Sequence, residues 1–251
     1  MCSDAPASVP PPASPAAPTE PEPPRLPPAP ETDWPALGRL TRGLAALFWA
    51  LPLSVILGVQ TAQTPFLGPF GFWPALGANL LLGYAVCQLG RFRPDHPRWQ
   101  AAVERARMLA LVLVGLSPFL HWYHLLPHNE HFQLAVVVAG LAALLFAANL
   151  SDLLCRLTAL LDRPDLHDEA RLFLGINLPL LGGVLALMVG WAVLIRSPFG
   201  PSALALAAPF LPRLGFATLL LGLLPLALTM ILIWKIKQAL LDAAFSPRAS
   251  D

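Results

Sequence analysis

Met108-Leu-Ala-Leu-Val-Leu-Val-Gly-Leu-Ser-Pro-Phe-Leu-His-Trp-Tyr-His-Leu-Leu126 and Phe132-Gln-Leu-Ala-Val-Val-Val-Ala-Gly-Leu-Ala-Ala-Leu-Leu-Phe-Ala-Ala-Asn-Leu-Ser151 are parted only by Pro127-His-Asn-Glu-His131. Each run is close to the length a helix needs to cross about 30 Å of hydrocarbon at about 1.5 Å per residue. Neither holds an Asp, Glu, Lys or Arg. Two such runs around so short a link predict a membrane hairpin. Pro127 disfavours helix at Leu126, so the turn begins there.

Further runs extend the hairpin on both sides. The expected spans are about residues 43–61, 73–89, 108–126, 132–151, 172–195 and 215–234. The fold class expected is all-α: a polytopic bundle of six transmembrane helices over residues 34–245, with short tail 246–251. Charged residues are only 12% of the chain, against roughly a quarter in soluble domains. The net charge of +1 gives no reason to expect a nucleic-acid partner.

Residues 1–33 differ in kind. Twelve prolines fall between Pro6 and Pro30 among Ala, Ser and Glu, with almost no apolar bulk to bury. That composition predicts a disordered, proline-rich tail acting as tether or spacer. It has no basic start followed by an apolar core, so it does not read as a secretory signal. Asp33 and Pro35 suit a helix start. The piece around residues 203–208 is too short to cross and is expected at the interface. The Asp162–Arg171 stretch, with Pro164 and His167, is expected as a charged loop.

Charge gives the orientation. With six spans, fourteen of the sixteen Lys and Arg fall on the side of the termini, and only Arg196 and Arg213 fall on the other. Basic loops stay cytoplasmic, so both termini are expected in the cytoplasm, as a multi-pass protein of a bacterial inner membrane. The Ala-, Leu- and Pro-rich composition associates with a GC-rich bacterial genome.

Chemistry is concentrated in the turn. His121, His124, His128 and His131 are four of the six histidines. His121 and His124 are three apart and share a helix face. Imidazole ligates zinc or copper, and Glu130 is placed as a fifth ligand. The spacing matches no catalytic box and lacks the HExxH order. An interfacial belt with Trp122 and Tyr123 is the plainer reading, and pH sensing is a third. Cys2, Cys87 and Cys155 form no CxxC pair. No nucleophile with its base, no phosphate loop and no catalytic residue can be named, and no resident cofactor is expected.

Packing signals complete the picture. Ala135, Ala139, Ala143, Ala147 and Ser151 recur every four residues, as helix-packing positions do, although the row drifts about 40° per step. Pro52, Pro118, Pro179 and Pro225 lie inside spans and are expected to kink them. Three stand between leucines and hint at a repeated hairpin, but the flanking residues do not match as a repeat. Asn79 and Asn177 are the candidates for interhelical hydrogen bonds.

Two functions follow. The first is a non-catalytic accessory or scaffold component, with the lipid bilayer, a second copy or another membrane protein as partner. The second is a small permease or metal-handling protein using the histidine turn.

Overall fold

The structure, a computed structural model, describes residues 34–63, 69–92, 97–160, 164–196 and 211–245. The proline-rich tail, the 203–208 piece and the last six residues lie outside these. The described residues form six helices and no strand: α1 (Trp34–Gln63), α2 (Trp73–Gly90), α3 (Pro97–Leu125), α4 (Glu130–Leu160), α5 (Pro164–Arg196) and α6 (Leu211–Phe245). Five are long and apolar enough to cross a membrane; α2 is not among them. It has 18 residues, and Asn79 and Gln88 lower its hydropathy.

Residues 164–171 are not a loop, contrary to the sequence expectation. They form the first turns of α5. Pro164 is the first helical residue, where its missing N–H costs nothing and its fixed φ favours helix. Helices also run through Pro52, Pro118, Pro179 and Pro225. Each proline leaves the carbonyl four residues earlier without its helical donor.

Successive helices are antiparallel, as paired contacts show. On α1 and α2, Gly43 lies against Leu89 while Ser54 bonds Asn79. On α2 and α3, Gly90 meets Val103 while Asn79 bonds Ser117. On α3 and α4, Asn149 bonds the Ala102 carbonyl while Phe119 touches Phe132. On α4 and α5, Gly140 lies against Met188 while Asn177 bonds Ser151. On α5 and α6, Lys235 pairs with Glu169 while Asn177 bonds Thr229. The ring closes where α6 packs on α1, with Trp234 against Phe48.

The fully buried side chains gather at one end of the bundle. They include Leu40, Leu44 and Leu47 of α1, Leu89 of α2, Trp99 of α3, Leu153, Leu154 and Leu157 of α4, and Ile233 and Ile236 of α6. That is the end where α1 starts and α2 stops. The outer surface is apolar: Trp49, Leu111 and Leu172 are each more than 60% exposed. A soluble protein would not leave so many large apolar side chains in water, whereas lipid accommodates them. The helices are those of a membrane-embedded protein.

Candidate functional site

The histidine turn lies at the less densely packed end. Helix α3 stops at Leu125, and Leu126 N donates to the Trp122 carbonyl at 2.9 Å. Asn129 then caps α4: its Oδ1 accepts from the His131 backbone N–H at 3.0 Å. Asparagine is favoured there because its short oxygen reaches an amide that has no helical partner. Gln133 Nε2 donates back to the Pro127 carbonyl at 2.8 Å and fixes the entry to the helix. Phe119, Trp122 and Phe132 form an aromatic cluster across the turn, with centroids 5.2 to 6.4 Å apart.

The four histidines are distributed over this frame. His121 and His124 are half-buried on the last turns of α3, and His128 and His131 are exposed. His121 borders the turn before α2: a Cβ on Gly71 would stand 3.8 Å from its Nε2. Gly71 has φ +58°, a conformation that favours glycine. Among the described residues no three His, Cys, Asp or Glu side chains are grouped so as to hold a metal ion. His121, His124, His128, His131 and Glu130 therefore do not converge as a ligand set here. The observed interactions of the turn are caps and ring contacts.

The small-residue row of α4 winds, as its drift requires. Ala139 and Ser151 are buried, Ala135 and Ala147 are intermediate, and Ala143 is exposed. The close approach on this helix is Gly140, where a Cβ would come 2.7 Å from Met188 Cε.

Polar chemistry inside the bundle is concentrated in two asparagine hubs. In the first, Ser54 Oγ donates to Asn79 Oδ1 at 2.6 Å, and Asn79 Nδ2 donates to Ser117 Oγ at 2.8 Å. Ser117 donates in turn to the Leu113 carbonyl at 2.8 Å. One amide thus ties α1, α2 and α3. In the second, Asn177 Nδ2 donates to Ser151 Oγ at 2.8 Å and to Thr229 Oγ1 at 3.3 Å. Ser151 and Thr229 donate to the Ala147 and Pro225 carbonyls, at 2.9 and 2.8 Å. That amide ties α4, α5 and α6. Asn79 and Asn177 are only 5% and 3% exposed. Asn177 Oδ1 is buried and has no hydrogen-bond partner.

The asparagines stand out in the sequence because an amide inside hydrocarbon needs partners. Ser54 and Ser117 were not foreseen as those partners. The usable signal was a hydroxyl near a proline within a span: Ser54 follows Pro52 by two, and Ser117 precedes Pro118. A further interhelical bond runs from Asn149 to the Ala102 carbonyl, at 3.0 Å between α3 and α4. Asp152 and Arg156 pair at 2.8 Å along α4, as their spacing predicts. No family model, curated protein or solved structure matches the chain.

Proposed function

We propose that the protein crosses the membrane six times, with both termini cytoplasmic, and serves a bacterial inner membrane as a non-catalytic accessory or scaffold component. The carrying observation is the use of its interior polar groups. Asn79, Ser117, Ser151, Asn177 and Thr229 are engaged in joining neighbouring helices. Thr61 Oγ1 and Asn177 Oδ1 have no partner, but tying helices together is what the named side chains share, and that is structural work. The 18 residues of α2 give about 27 Å of helix at about 1.5 Å each, near the hydrocarbon thickness. Its antiparallel packing between α1 and α3 supports its crossing too.

The test is purification in mild detergent with mass spectrometry of copurifying chains and size determination. A partner or a second copy in stoichiometric amount is the expected result. A partner-free monomer that conducts a solute in proteoliposomes would overturn the reading in favour of a small permease. One observation favours that second reading: Asn177 Oδ1 lacks a donor between two proline-bearing helices, α5 and α6. A proline inside a continuous helix leaves one carbonyl without its donor, and transporters place solutes where such unmatched polar groups gather.

A further inference from the structure

Two stretches of the chain match when they are registered on their close helix approaches and not on their prolines. Gly43 of α1 and Gly140 of α4 each sit where a Cβ would strike the next helix, at 2.5 Å from Leu89 and 2.7 Å from Met188. From those glycines the sequences read alike. Gly43-Leu-Ala-Ala-Leu47 equals Gly140-Leu-Ala-Ala-Leu144. Ala50, Leu53-Ser54, Leu57 and Thr61-Ala62 recur as Ala147, Leu150-Ser151, Leu154 and Thr158-Ala159. Eleven of the twenty positions 43–62 are identical at a constant offset.

The following helices match as well. Leu76-Gly77-Ala-Asn79-Leu80-Leu-Leu82 on α2 corresponds to Leu174-Gly175-Ile-Asn177-Leu178-Pro-Leu180 on α5. In a chain this rich in Ala and Leu, those two residue types alone would carry little. Gly43, Ser54, Thr61, Gly77 and Asn79 each meet their own kind, and of these Ser, Thr and Asn are scarce in the spans.

The structure gives the matched serines and asparagines similar bonding, while Leu44 is buried and its match Leu141 is exposed. Ser54 bonds the asparagine of the next helix, and so does Ser151. Each asparagine then bonds a hydroxyl on the third helix, Ser117 or Thr229, and each of those donates to the carbonyl four residues back. The third helices share Gly115-Leu116-Ser-Pro118 and Gly222-Leu223-Leu-Pro225. Here the copies have drifted: the hydroxyl precedes the proline by one residue in α3 and follows it by four in α6. The principal helix contacts repeat too. Contacts α1 to α2, α2 to α3 and α1 to α3 recur as α4 to α5, α5 to α6 and α4 to α6. The seam between α3 and α4 recurs between α6 and α1.

We infer that α1–α3 and α4–α6 are two copies of one three-helix unit, inserted in opposite orientations and related by a pseudo-twofold axis in the membrane plane. Three reversals of direction separate α1 from α4, so an odd-numbered unit inverts when it is duplicated. Ser54 and Ser151 both lie past the middle of their helices. The two hubs therefore fall in opposite halves of the bundle's thickness. This also replaces the repeated hairpin hinted at by the Leu-Pro-Leu contexts. The repeating unit has three helices, and Pro52 aligns with Asn149.

Inverted repeats are one way a membrane protein builds a site at the interface between its halves. In this chain the equivalent polar groups are the two asparagine hubs, and each lies inside one copy, not between the copies. They differ in one respect: Asn79 Oδ1 has Ser54 as donor, whereas Asn177 Oδ1 has none, because Ser151 donates to its own helix.

The test uses the full chain with Cys2, Cys87 and Cys155 replaced by alanine. Single cysteines are placed at the matched positions Ala62 and Ala159, at the ends of α1 and α4. A membrane-impermeant maleimide applied to intact cells should label one of them, and the other should be labelled only after lysis. Labelling of Ala62→Cys from outside fits both termini cytoplasmic. Labelling of Ala159→Cys from outside would reverse that orientation and still support inversion. Labelling of both from one side overturns the inference. A second arm tests the register. Gly43→Cys with Leu89→Cys, and Gly140→Cys with Met188→Cys, should each be joined within the chain by a short bifunctional thiol reagent, since the glycines lie against the ends of those side chains. The mixed pair Gly43→Cys with Met188→Cys should not. Failure of either matched pair in chain that elutes as a single folded species overturns the equivalence.

Discussion

Replacing Asn79 by leucine removes the first hub while nearly conserving volume. Two short hydrogen bonds are lost, from Ser54 at 2.6 Å and to Ser117 at 2.8 Å. A bond between helices inside a membrane is worth about 0.6 kcal/mol on average and up to about 1.7. The pair therefore sets a cost of about 1 kcal/mol, with a ceiling of about 3 kcal/mol. Ser117 keeps its bond to the Leu113 carbonyl, and Ser54 can turn to a carbonyl of its own helix, so the lower figure is expected.

Asn177→Leu gives the contrast. It loses a good bond to Ser151 and a longer one to Thr229 at 3.3 Å. It also removes a buried carbonyl oxygen that has no donor, and such a group costs about 1–3 kcal/mol. Asn177→Leu should therefore destabilise less than Asn79→Leu, and a net gain is within the arithmetic. Reversible unfolding in mixed micelles, followed by circular dichroism, measures both. An Asn79→Leu chain as stable as the parent would refute the hub argument. So would an Asn177→Leu chain that is the weaker of the two.

Other perturbations follow from the same contacts. Gly43→Ala should lower the unfolding midpoint, because its Cβ would also lie 3.1 Å from Gln88 Cβ and 3.3 Å from the Ala85 carbonyl, which cannot swing away. Gly140→Ala should be close to neutral, since the obstructing atom is the terminal methyl of Met188; thermal melting in detergent separates the two. Lys235→Ala breaks an exposed 2.7 Å pair with Glu169, and its small effect, about 0.2–1 kcal/mol, should vanish in high salt. Alanine at His121 and His124 should leave the zinc and copper content of the purified protein unchanged by elemental analysis. A stoichiometric metal lost on that substitution would show that the turn closes around an ion.

The helices were readable because a membrane imposes a simple rule. Backbone groups in hydrocarbon must bond within their own segment, so an apolar run of sufficient length must be helix. Helix boundaries were less readable at the ends. Residues 164–171 are charged and begin with proline, which resembles a loop, yet proline at a first helical position opens α5. The histidine turn drew attention because its residues are close in sequence. Closeness along the chain does not aim side chains at one point: His121 and His124 belong to the end of α3, and His128 and His131 to the turn and the start of α4.

By itself, then, the sequence determined the all-helical class, the apolar segments and the two asparagines that had to find partners. Those properties follow from local composition and the cost of bare polar groups in lipid. Only the tertiary structure decided which hydroxyls those asparagines meet, and that Gly43 and Gly140 each lie close against the helix that follows. The matching stretches had been present in the chain all along, but alanine and leucine obscured their register. A close approach between helices depends on where two distant backbones meet, and that contact fixed the register in which the chain reads as two inverted copies.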